Sequence, residues 1–357
     1  MRKTVILETH NIKNPNTGFG VFNYGLVKGL NNIDPGNLDL ILLAQNPQTL
    51  KAEFGKKFKY KKIYSFNRYK NFRIGKKHDL WHSVNQNLKF EPKKTSNYLL
   101  TIHDVNFAEA IAPDDVNNKR RRAFIEKLER SNAITYISHY AKEQAHRHFT
   151  IPNVPEYIIH NGNPITSFAD TSAFVPNVPV DKPFLFSIGD FLHKKNFTSI
   201  VAMMNHVKDF NLIIAGDSDK SYGEEVKKAI TDNNLSDRVF LTGKVSNAGK
   251  QYFMKNCTAF LFPSVGEGFG LPPIEAMKFG KPVFLANRTS LPEIGGEDAF
   301  YWNEFDAEDM AAEFYKGLDA YNSNPALYSQ KYIERANLFN WDTAAQQYLD
   351  VYNSILK

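Results

Sequence analysis

Short apolar runs alternate with stretches of helical periodicity along nearly the whole chain. In the first part, the candidate strands are residues 5–7, 38–43, 80–82, 98–102 and 134–137. Residues 21–30, 115–130 and 139–149 have the periodicity of helices, the last two with charged outer faces. Strands that alternate with helices predict a parallel sheet that is covered on both faces.

A second series of the same kind follows a segment rich in Ser, Thr, Pro and Asp, residues 165–183 (ITSFADTSAFVPNVPVDKP). Its candidate strands are residues 184–188, 212–215, 239–241, 259–262 and 283–286, and its candidate helices include 196–207 and 222–233. The sequence therefore predicts an α/β fold with two doubly wound, Rossmann-like units. Ligands of such sheets bind beyond the carboxyl ends of the strands, and a cleft between two units is a natural substrate site.

These patterns set the predicted domain boundaries. Residues 1–170 form an N-terminal domain, residues 171–183 a linker and residues 184–338 a C-terminal domain. The last segment, residues 339–357, reads as an amphipathic helix with a capped start at Asp342.

Composition narrows the class of protein. The chain has 357 residues, enough for two domains. Its apolar runs are all far shorter than the roughly 20 residues of a membrane span. Near the start, the apolar run before Glu8 is only three residues long (VIL). This indicates a first strand rather than a signal peptide. The single cysteine, Cys257, excludes an internal disulfide and a cysteine-rich zinc site. We therefore expect a cytoplasmic protein.

The net charge of +6 is unevenly distributed. Residues 51–77 interleave Lys and Arg with Phe and Tyr, and Glu53 is the only acid among them. Such a patch suits anionic lipid headgroups, a phosphorylated substrate or nucleic acid, and an ordinary solvated surface around a strand is an equal alternative. No segment has a known nucleic-acid-binding motif, so we expect no nucleic-acid partner.

Residues 261–286 (LFPSVGEGFGLPPIEAMKFGKPVFLA) stand out chemically. The pattern predicts a buried strand, a glycine-rich loop, a helix that begins with prolines and stops near Gly280, and a further strand. Glycines let backbone approach a ligand, and helix N-terminal amides attract phosphate. Glu267 in the loop and Glu275 in the helix are placed to face one site. For the glycine loop alone, a tight turn with two surface acids is the simpler interpretation.

The segment GEGFGLPPIEAM resembles the signature of glycosyltransferase family 4, which comprises retaining enzymes with the GT-B fold. Other segments are similar to the family's motifs in the same order. They are TGFGVF, LLTIHDVNF, AITYISHYAKEQ, IIHNGNP, FSIGDFLHKKNF, VFLTGKVS and TSLPEIGGEDAFYW. The resemblance implies two Rossmann-like domains that face a cleft, with the nucleotide-sugar donor on the C-terminal domain. It also implies a terminal helix that returns to the first domain.

The resemblance also implies roles for individual residues. Glu267 lies by the transferred sugar, Glu275 accepts from the donor's ribose hydroxyls, and His103 faces the sugar while Asp104 orients its loop. The remaining predicted donor-binding residues are Gly18, Gly20, Lys194, Lys195, Val245, Gly268, Phe269, Gly270 and Leu271. Lysines and backbone amides there would stabilise the leaving diphosphate without a metal. Retention in this family is usually explained by front-face attack, so neither glutamate is predicted to be a nucleophile.

One position departs from the family. An Arg often follows the glycine that Gly189 matches, and here the residue is Asp190, so a second phosphate cation must be Lys194 or be absent. Two other patterns are weak metal candidates: Asp217 and Asp219 sit two apart in a loop, and His146 and His148 are spaced too closely to share a helix face. We predict no metal and no cofactor.

The resemblance implies a hexosyltransferase of cell-surface polysaccharide synthesis, such as O-antigen or capsule. GDP-mannose is the favoured donor, and the acceptor is a glycan or a lipid-linked saccharide. The basic patch would hold the protein on the inner face of an anionic membrane. The alternatives are a UDP-sugar-dependent transferase, a GT-B epimerase and a non-catalytic nucleotide-sugar-binding protein; a phosphorylase lacks any signature in the chain.

Overall fold

A computed structural model describes residues 2–15, 17–109, 115 and 118–357. The chain divides into two compact units. The N-terminal unit comprises residues 1–162 together with 340–357, and the C-terminal unit comprises residues 163–339. Among the described residues, no helix is long and apolar enough to cross a membrane.

The N-terminal unit is built on one parallel sheet of seven strands. They are β1 (Lys3–Glu8), β2 (Leu38–Ala44), β3 (Lys59–Lys62), β4 (Leu80–Ser83), β5 (Asn97–Ile102), β6 (Ala133–Tyr136) and β7 (Glu156–Ile158). Their spatial order is β3-β2-β1-β4-β5-β6-β7, and every neighbouring pair is parallel. The strands that the apolar runs predicted are all present. Strands β3 and β7 were not predicted, because none of their residues is fully buried.

The described residues of this unit form five helices: α1 (Gly18–Asn32), α2 (Pro47–Phe54), α3 (Lys119–Arg130), α4 (His139–His148) and α12 (Trp341–Ile355). Helix α1 begins earlier than predicted because the Thr17 side chain accepts a hydrogen bond from the amide of Gly20. The predicted start of α3 at residue 115 is not observed: its N-cap is Asn118, and residues 116 and 117 lie outside the described part.

The C-terminal unit has a parallel sheet of six strands, β8 (Phe184–Ile188), β9 (Asn211–Ala215), β10 (Val239–Gly243), β11 (Ala259–Phe262), β12 (Val283–Ala286) and β13 (Phe300–Trp302). The order is β10-β9-β8-β11-β12-β13, again all parallel. Its helices are α5 (Phe197–Met203), α6 (Ser221–Asp232), α7 (Asn247–Asn256), α8 (Leu271–Met277), α9 (Leu291–Gly295), α10 (Ala307–Ser323) and α11 (Pro325–Leu338). Apolar side chains pack on both faces of this sheet in two clusters, which explains why its strands read as continuous apolar runs.

The segment predicted as a linker, residues 171–183, belongs to the C-terminal unit. Phe174 packs against Tyr252 and Phe253 of α7, and its ring occupies the space beside Gly249. The division of the chain lies earlier, after residue 162. Composition alone did not reveal this boundary, because the segment is mostly polar and is attached to the unit by the aromatic contacts of Phe174.

Helix α12 completes the N-terminal unit. Trp341 lies so close to Gly25, Gly29 and Gly162 that an added Cβ at any of them would lie within 2.4 Å of Trp341. The predicted cap at Asp342 is wrong: the side chain of Asn340 accepts hydrogen bonds from the amides of Asp342 and Thr343. An Asn at this position satisfies two amides that the first helical turn leaves unpaired.

A buried polar chain also fixes α12 to the sheet. His82 on β4 contacts the Tyr352 hydroxyl at 2.8 Å and the Thr101 hydroxyl at 2.8 Å. Burial lowers the pKa of His82 to about 3, so this imidazole is neutral at physiological pH. The helix is thus held by packing and by hydrogen bonds through a neutral histidine.

Both sheets contain one position where the strand order reverses, between β1 and β4 in the first and between β8 and β11 in the second. The loops that follow these paired strands diverge, which leaves a crevice at the carboxyl edge of the sheet. Each unit therefore offers one candidate ligand site at this position, its switch point.

Candidate functional site

The switch point of the C-terminal sheet brings two predicted site residues into contact. A 3₁₀ turn over His193–Lys195 follows β8, and the glycine-rich loop follows β11. Lys195 Nζ lies 2.5 Å from Glu267 Oε1, and both side chains are largely buried. The amide of Val265 donates to the Lys194 carbonyl oxygen at 2.8 Å, which fixes one loop against the other.

Glu267 is held at one of its two oxygens. Oε1 accepts from Lys195 and from the Ser264 hydroxyl, the latter at 2.6 Å. Burial alone would raise the pKa of the Glu267 carboxyl, but the charges of Lys195 and Lys194 and the two hydrogen bonds outweigh it and lower this pKa. Glu267 is therefore a carboxylate at neutral pH. Its other oxygen, Oε2, is left to accept a hydrogen bond from a ligand.

Lys195 is aimed by its surroundings. Its aliphatic stem lies 3.2 Å from the position where a Cβ on Gly189 would be, so only glycine leaves room for it there without a shift. Its ammonium lies 4.7 Å from the centre of the Phe262 ring. An ammonium has three donors, and only one is used by Glu267. The remaining two are available to an anionic ligand.

The glycine-rich loop has a backbone that only glycine accepts easily. Gly270, the N-cap of α8, has a φ of 112°, and a Cβ there would lie 2.8 Å from Leu291. The Ser290 hydroxyl donates to the carbonyl of Phe269 at 2.7 Å, which steadies the loop from α9. Within the described part of the chain, the amides of Gly270 and Leu271 have no acceptor. These two amides are candidate donors to a phosphate or sugar oxygen.

Glu275 is buried in α8 and is paired, a feature that the sequence did not predict. Lys250 on α7 contacts Glu275 Oε1. Val245 is half-buried after β10 and packs against one of the two apolar clusters. The sequence offered no signal for Lys250, because its register against Glu275 is set by how α7 and α8 pack. Gly268, within the glycine-rich loop, is half-buried.

The structure places Asp190, at the position where the family often has Arg, on the surface beside a lysine, and whether Lys194 serves as the second phosphate cation stays a prediction. Asp190 is exposed and lies 3.5 Å from Lys220, so its charge is partly compensated. Asp217 pairs with Lys244 at 2.7 Å. His146 pairs with Glu156 at 2.7 Å. Among the described residues, no group of three or more His, Cys, Asp or Glu is placed to hold a metal.

In the N-terminal unit, the two predicted glycines differ. An added Cβ on Gly20 would lie 1.8 Å from the Asn14 carbonyl oxygen, so the chain's own packing requires glycine there. Gly18 is exposed and has nothing within 4 Å of an added Cβ. Neither observation tests a role in binding a diphosphate, and that role stays a prediction.

His103 follows β5 and is nearly buried between Phe19 and Phe22. Its Nε2 lies 2.9 Å from the Val84 carbonyl oxygen, which can only accept, so Nε2 carries the proton and Nδ1 is an acceptor. Burial lowers the pKa of His103 to about 4, and the ring is neutral. His103 is therefore suited to accept from a sugar hydroxyl and unsuited to act as a cation. Asp104 accepts from the amide of Asn106, as a loop-orienting residue would.

Sequence reasoning missed the floor of the N-terminal switch point. Glu8 ends β1 fully buried, and burial raises its pKa to about 8. Four buried atoms here have no partner within the described residues: Glu8 Oε2, His10 Nδ1, Asn85 Nδ2 and Gln86 Nε2. His10 and Asn85 line a cavity of about 360 Å³ whose rim includes Lys13, Arg68 and Lys89. Unpaired buried polar groups are costly, which indicates a place for a polar ligand or water.

Comparison with known proteins identifies the chain's relatives. Residues 169–334 match the family model described as glycosyl transferases group 1. The O-antigen chain mannosyltransferase B of Escherichia coli is 22% identical over 281 residues, which are 73% of this chain and 71% of that protein. The O-antigen chain mannosyltransferase RfbU of Salmonella typhimurium is 26% identical over 214 residues, or 59% of this chain and 58% of its own length.

Solved structures share the fold over the whole chain. A glycosyltransferase from Rickettsia africae has a TM-score of 0.71 at 15% identity and covers 100% of this chain and 99% of its own. Anabaena Alr3699/HepE in complex with UDP-glucose has a TM-score of 0.72 at 14% identity, with 98% and 99% covered. The predicted fold, two Rossmann-like parallel sheets as in GT-B glycosyltransferases, is confirmed, and so is the resemblance to glycosyltransferase family 4.

Proposed function

We propose that this chain, which carries a glycosyl transferases group 1 domain, is a retaining hexosyltransferase that uses a nucleotide sugar. The donor we favour is GDP-mannose, because two relatives of the chain are named O-antigen chain mannosyltransferases. The acceptor is a hydroxyl of a glycan or lipid-linked saccharide in cell-surface polysaccharide synthesis, O-antigen or capsule.

One observation carries the proposal: the contact of Lys195 with Glu267 at the C-terminal switch point. A diphosphate leaving group gains charge as the sugar bond breaks, and a preorganised ammonium lowers that barrier without solvent reorganisation. Lys195 has two donors for this purpose, and the amides of Gly270 and Leu271 add more. Lys194 is the second cation, beside the loop at Gly266.

The glutamates take different parts. Glu267 Oε2 accepts from a hydroxyl of the transferred sugar, which fixes the anomeric carbon relative to Lys195. Because its other oxygen is held by Lys195 and Ser264, Glu267 is a positioned acceptor rather than a free nucleophile. The acceptor then attacks from the face that the diphosphate leaves, and the departing phosphate takes its proton. Glu275, held by Lys250, accepts from ribose hydroxyls.

The reaction as proposed needs no metal and no other cofactor. Lysines and backbone amides take the place that a divalent cation fills in metal-dependent transferases. We assign the acceptor to the N-terminal unit, where Asn85 and Gln86 offer amide donors that no described residue uses and His103 offers Nδ1. Neutral donors and acceptors suit the hydroxyls of a sugar.

The test is a transfer assay with GDP-mannose, UDP-glucose and UDP-N-acetylglucosamine, each with a soluble mannoside acceptor. The expected result is release of GDP and formation of an α-linked product, identified by NMR, with no loss of rate in a chelator. Turnover of a UDP-sugar alone would favour a UDP-dependent enzyme. Donor binding without transfer or hydrolysis would favour a non-catalytic protein, and interconversion of the sugar would favour an epimerase.

A further inference from the structure

The N-terminal unit carries a compact group of exposed aromatic rings. Residues 64–73, here called the aromatic loop, leave four rings about half exposed or more: Tyr64 48%, Phe66 50%, Tyr69 58% and Phe72 58%. The other large exposed apolar side chains of the described residues are scattered along the chain. Scattered rings are normal on a protein surface, but four within nine residues mark an interaction site.

The aromatic loop is built rather than loose. Buried Ile63 and Ile74 anchor its two ends. Asn67 accepts from the Tyr64 amide at 2.9 Å and donates to the Phe72 carbonyl at 2.7 Å. Successive backbone hydrogen bonds link residues 64, 67, 66, 69 and 72. The rings are thus displayed by a fixed backbone, and binding would cost little ordering entropy.

The charge around the rings is of one sign. Between Glu53 and Asp79 the sequence has ten Lys and Arg and no acid. Lys62 lies 5.2 Å from the Tyr64 ring centre and Arg68 lies 5.2 Å from that of Tyr69. Within the described part of the chain, Lys62, Arg68 and Lys70 have no carboxylate partner. The surface therefore matches an anionic partner with an apolar layer.

We propose that the aromatic loop docks on an anionic lipid bilayer, with Phe66 and Phe72 at the acyl boundary and the lysines at the headgroups. Interfacial binding combines apolar insertion with attraction of Lys and Arg to anionic lipids. A nucleic-acid strand fits less well, because base stacking needs separated ring faces. Here the rings of Tyr64 and Phe66 stack with centres 5.3 Å apart, and those of Phe66 and Phe72 pack edge to face with centres 5.7 Å apart.

The loop also joins this surface to the acceptor cavity. Ser65 and Arg68 line the cavity of about 360 Å³ at the N-terminal switch point, while the neighbouring rings face solvent. A bilayer that holds the rings would therefore lie beside the cavity rim. Membrane docking would then narrow the acceptor to a saccharide whose lipid anchor stays in the bilayer. This last step rests on the proposed function.

Co-sedimentation with vesicles tests the proposal without donor or acceptor. We expect binding to phosphatidylcholine vesicles that contain phosphatidylglycerol, loss of binding at high salt and no binding to phosphatidylcholine alone. The double variant Phe66→Ser/Phe72→Ser should bind about 100-fold more weakly, on the order of ten-fold for each ring. The control Val175→Ser/Leu338→Ser, which changes two exposed side chains of the C-terminal unit, should bind like wild type.

A second measurement reports insertion directly. Trp81, Trp302 and Trp341 are all buried, so brominated lipids should not quench wild-type fluorescence. Phe72→Trp should be quenched by brominated lipid in anionic vesicles only. The proposal would be overturned if the wild-type protein did not bind anionic vesicles or if the double variant bound them equally well. It would also be overturned if the double variant lost binding to single-stranded RNA but not to vesicles. Because no sugar nucleotide is present in these experiments, a lack of vesicle binding would not count against the proposed transferase activity.

Discussion

At the switch point of the C-terminal sheet, charged side chains are paired, whereas the floor of the N-terminal switch point consists of neutral polar groups. Lys195 and Glu267 stand 2.5 Å apart in the first, and Lys250 pairs with Glu275 nearby. In the second, Glu8 is protonated at neutral pH, His103 is uncharged, and the side-chain nitrogens of Asn85 and Gln86 have no partner among the residues that the structure describes. The same strand order thus supports two kinds of chemistry.

The difference follows from what each unit would bind. A diphosphate brings two or more negative charges, so its site needs cations held ready by nearby carboxylates. An acceptor saccharide brings hydroxyls, which can pair with the uncharged donors and acceptors on the floor of its site. The two switch points therefore differ in charge where their proposed ligands differ, although the backbone topology is shared.

Removal of the Lys195 ammonium is the strongest challenge to the charged half of this comparison. We expect Lys195→Ala to lower kcat by about 10²–10³-fold, the usual loss of one preorganised donor to a developing charge. Steady-state kinetics with saturating donor measures it. Lys331→Ala is the matched control, since Lys331 pairs with Asp298 on the surface. A Lys195→Ala enzyme with wild-type kcat would contradict a role of Lys195 in stabilising the leaving diphosphate.

The two units also differ in how they are completed, because helix α12 packs in the N-terminal unit. In Gly25→Ala the new Cβ would lie 2.1 Å from the Trp341 ring, so we expect a loss of about 3 kcal/mol in the free energy of unfolding. Urea denaturation measures the loss. Gly75→Ala, with nothing within 4 Å of its Cβ, should change stability by less than about 0.5 kcal/mol. Equal effects in both variants would contradict the packing described.

The neutral half predicts a pH effect. The folded state raises the pKa of Glu8 from 4.5 to about 8, so the folded protein binds the proton more tightly than the unfolded chain. Stability contributed by this proton is present below pH 4.5 and is lost as pH rises toward 8, with a slope of up to about 1.4 kcal/mol per pH unit. Glu8→Gln should flatten the dependence of the unfolding free energy on pH across this window. A variant with the wild-type slope would show that Glu8 is ionised.

Glu275 offers the smallest expected effect. If its carboxylate accepts from ribose hydroxyls, Glu275→Gln should raise KM for the donor about ten-fold with kcat little changed. The 2′-deoxy donor should lose less on this substitution than the ribonucleotide does. Equal losses for both donors would place the role of Glu275 in the structural pair with Lys250.

Much of the fold could be predicted from the sequence, because fully buried parallel strands are continuous apolar runs. The strands β3, β7 and β13 were not predicted because few of their residues are fully buried. The cap of α12 was placed two residues too late, at Asp342, because Asp and Asn cap helices equally well. The meeting of Lys195 with Glu267 agrees with two motifs found at strand ends. Lys250, Ser264 and Glu8 lay outside those motifs, and their roles depend on tertiary contacts that no local pattern encodes.

We propose that Lys195 holds the diphosphate of the donor at the C-terminal switch point. This claim is tested most directly by calorimetric titration of wild type and Lys195→Ala with GDP and with GMP, with UDP and UMP as a parallel pair. We predict that wild type binds the diphosphate of its cognate base more tightly than the monophosphate and that Lys195→Ala loses most of this preference. An unchanged ratio of diphosphate to monophosphate affinity in Lys195→Ala would contradict the claim.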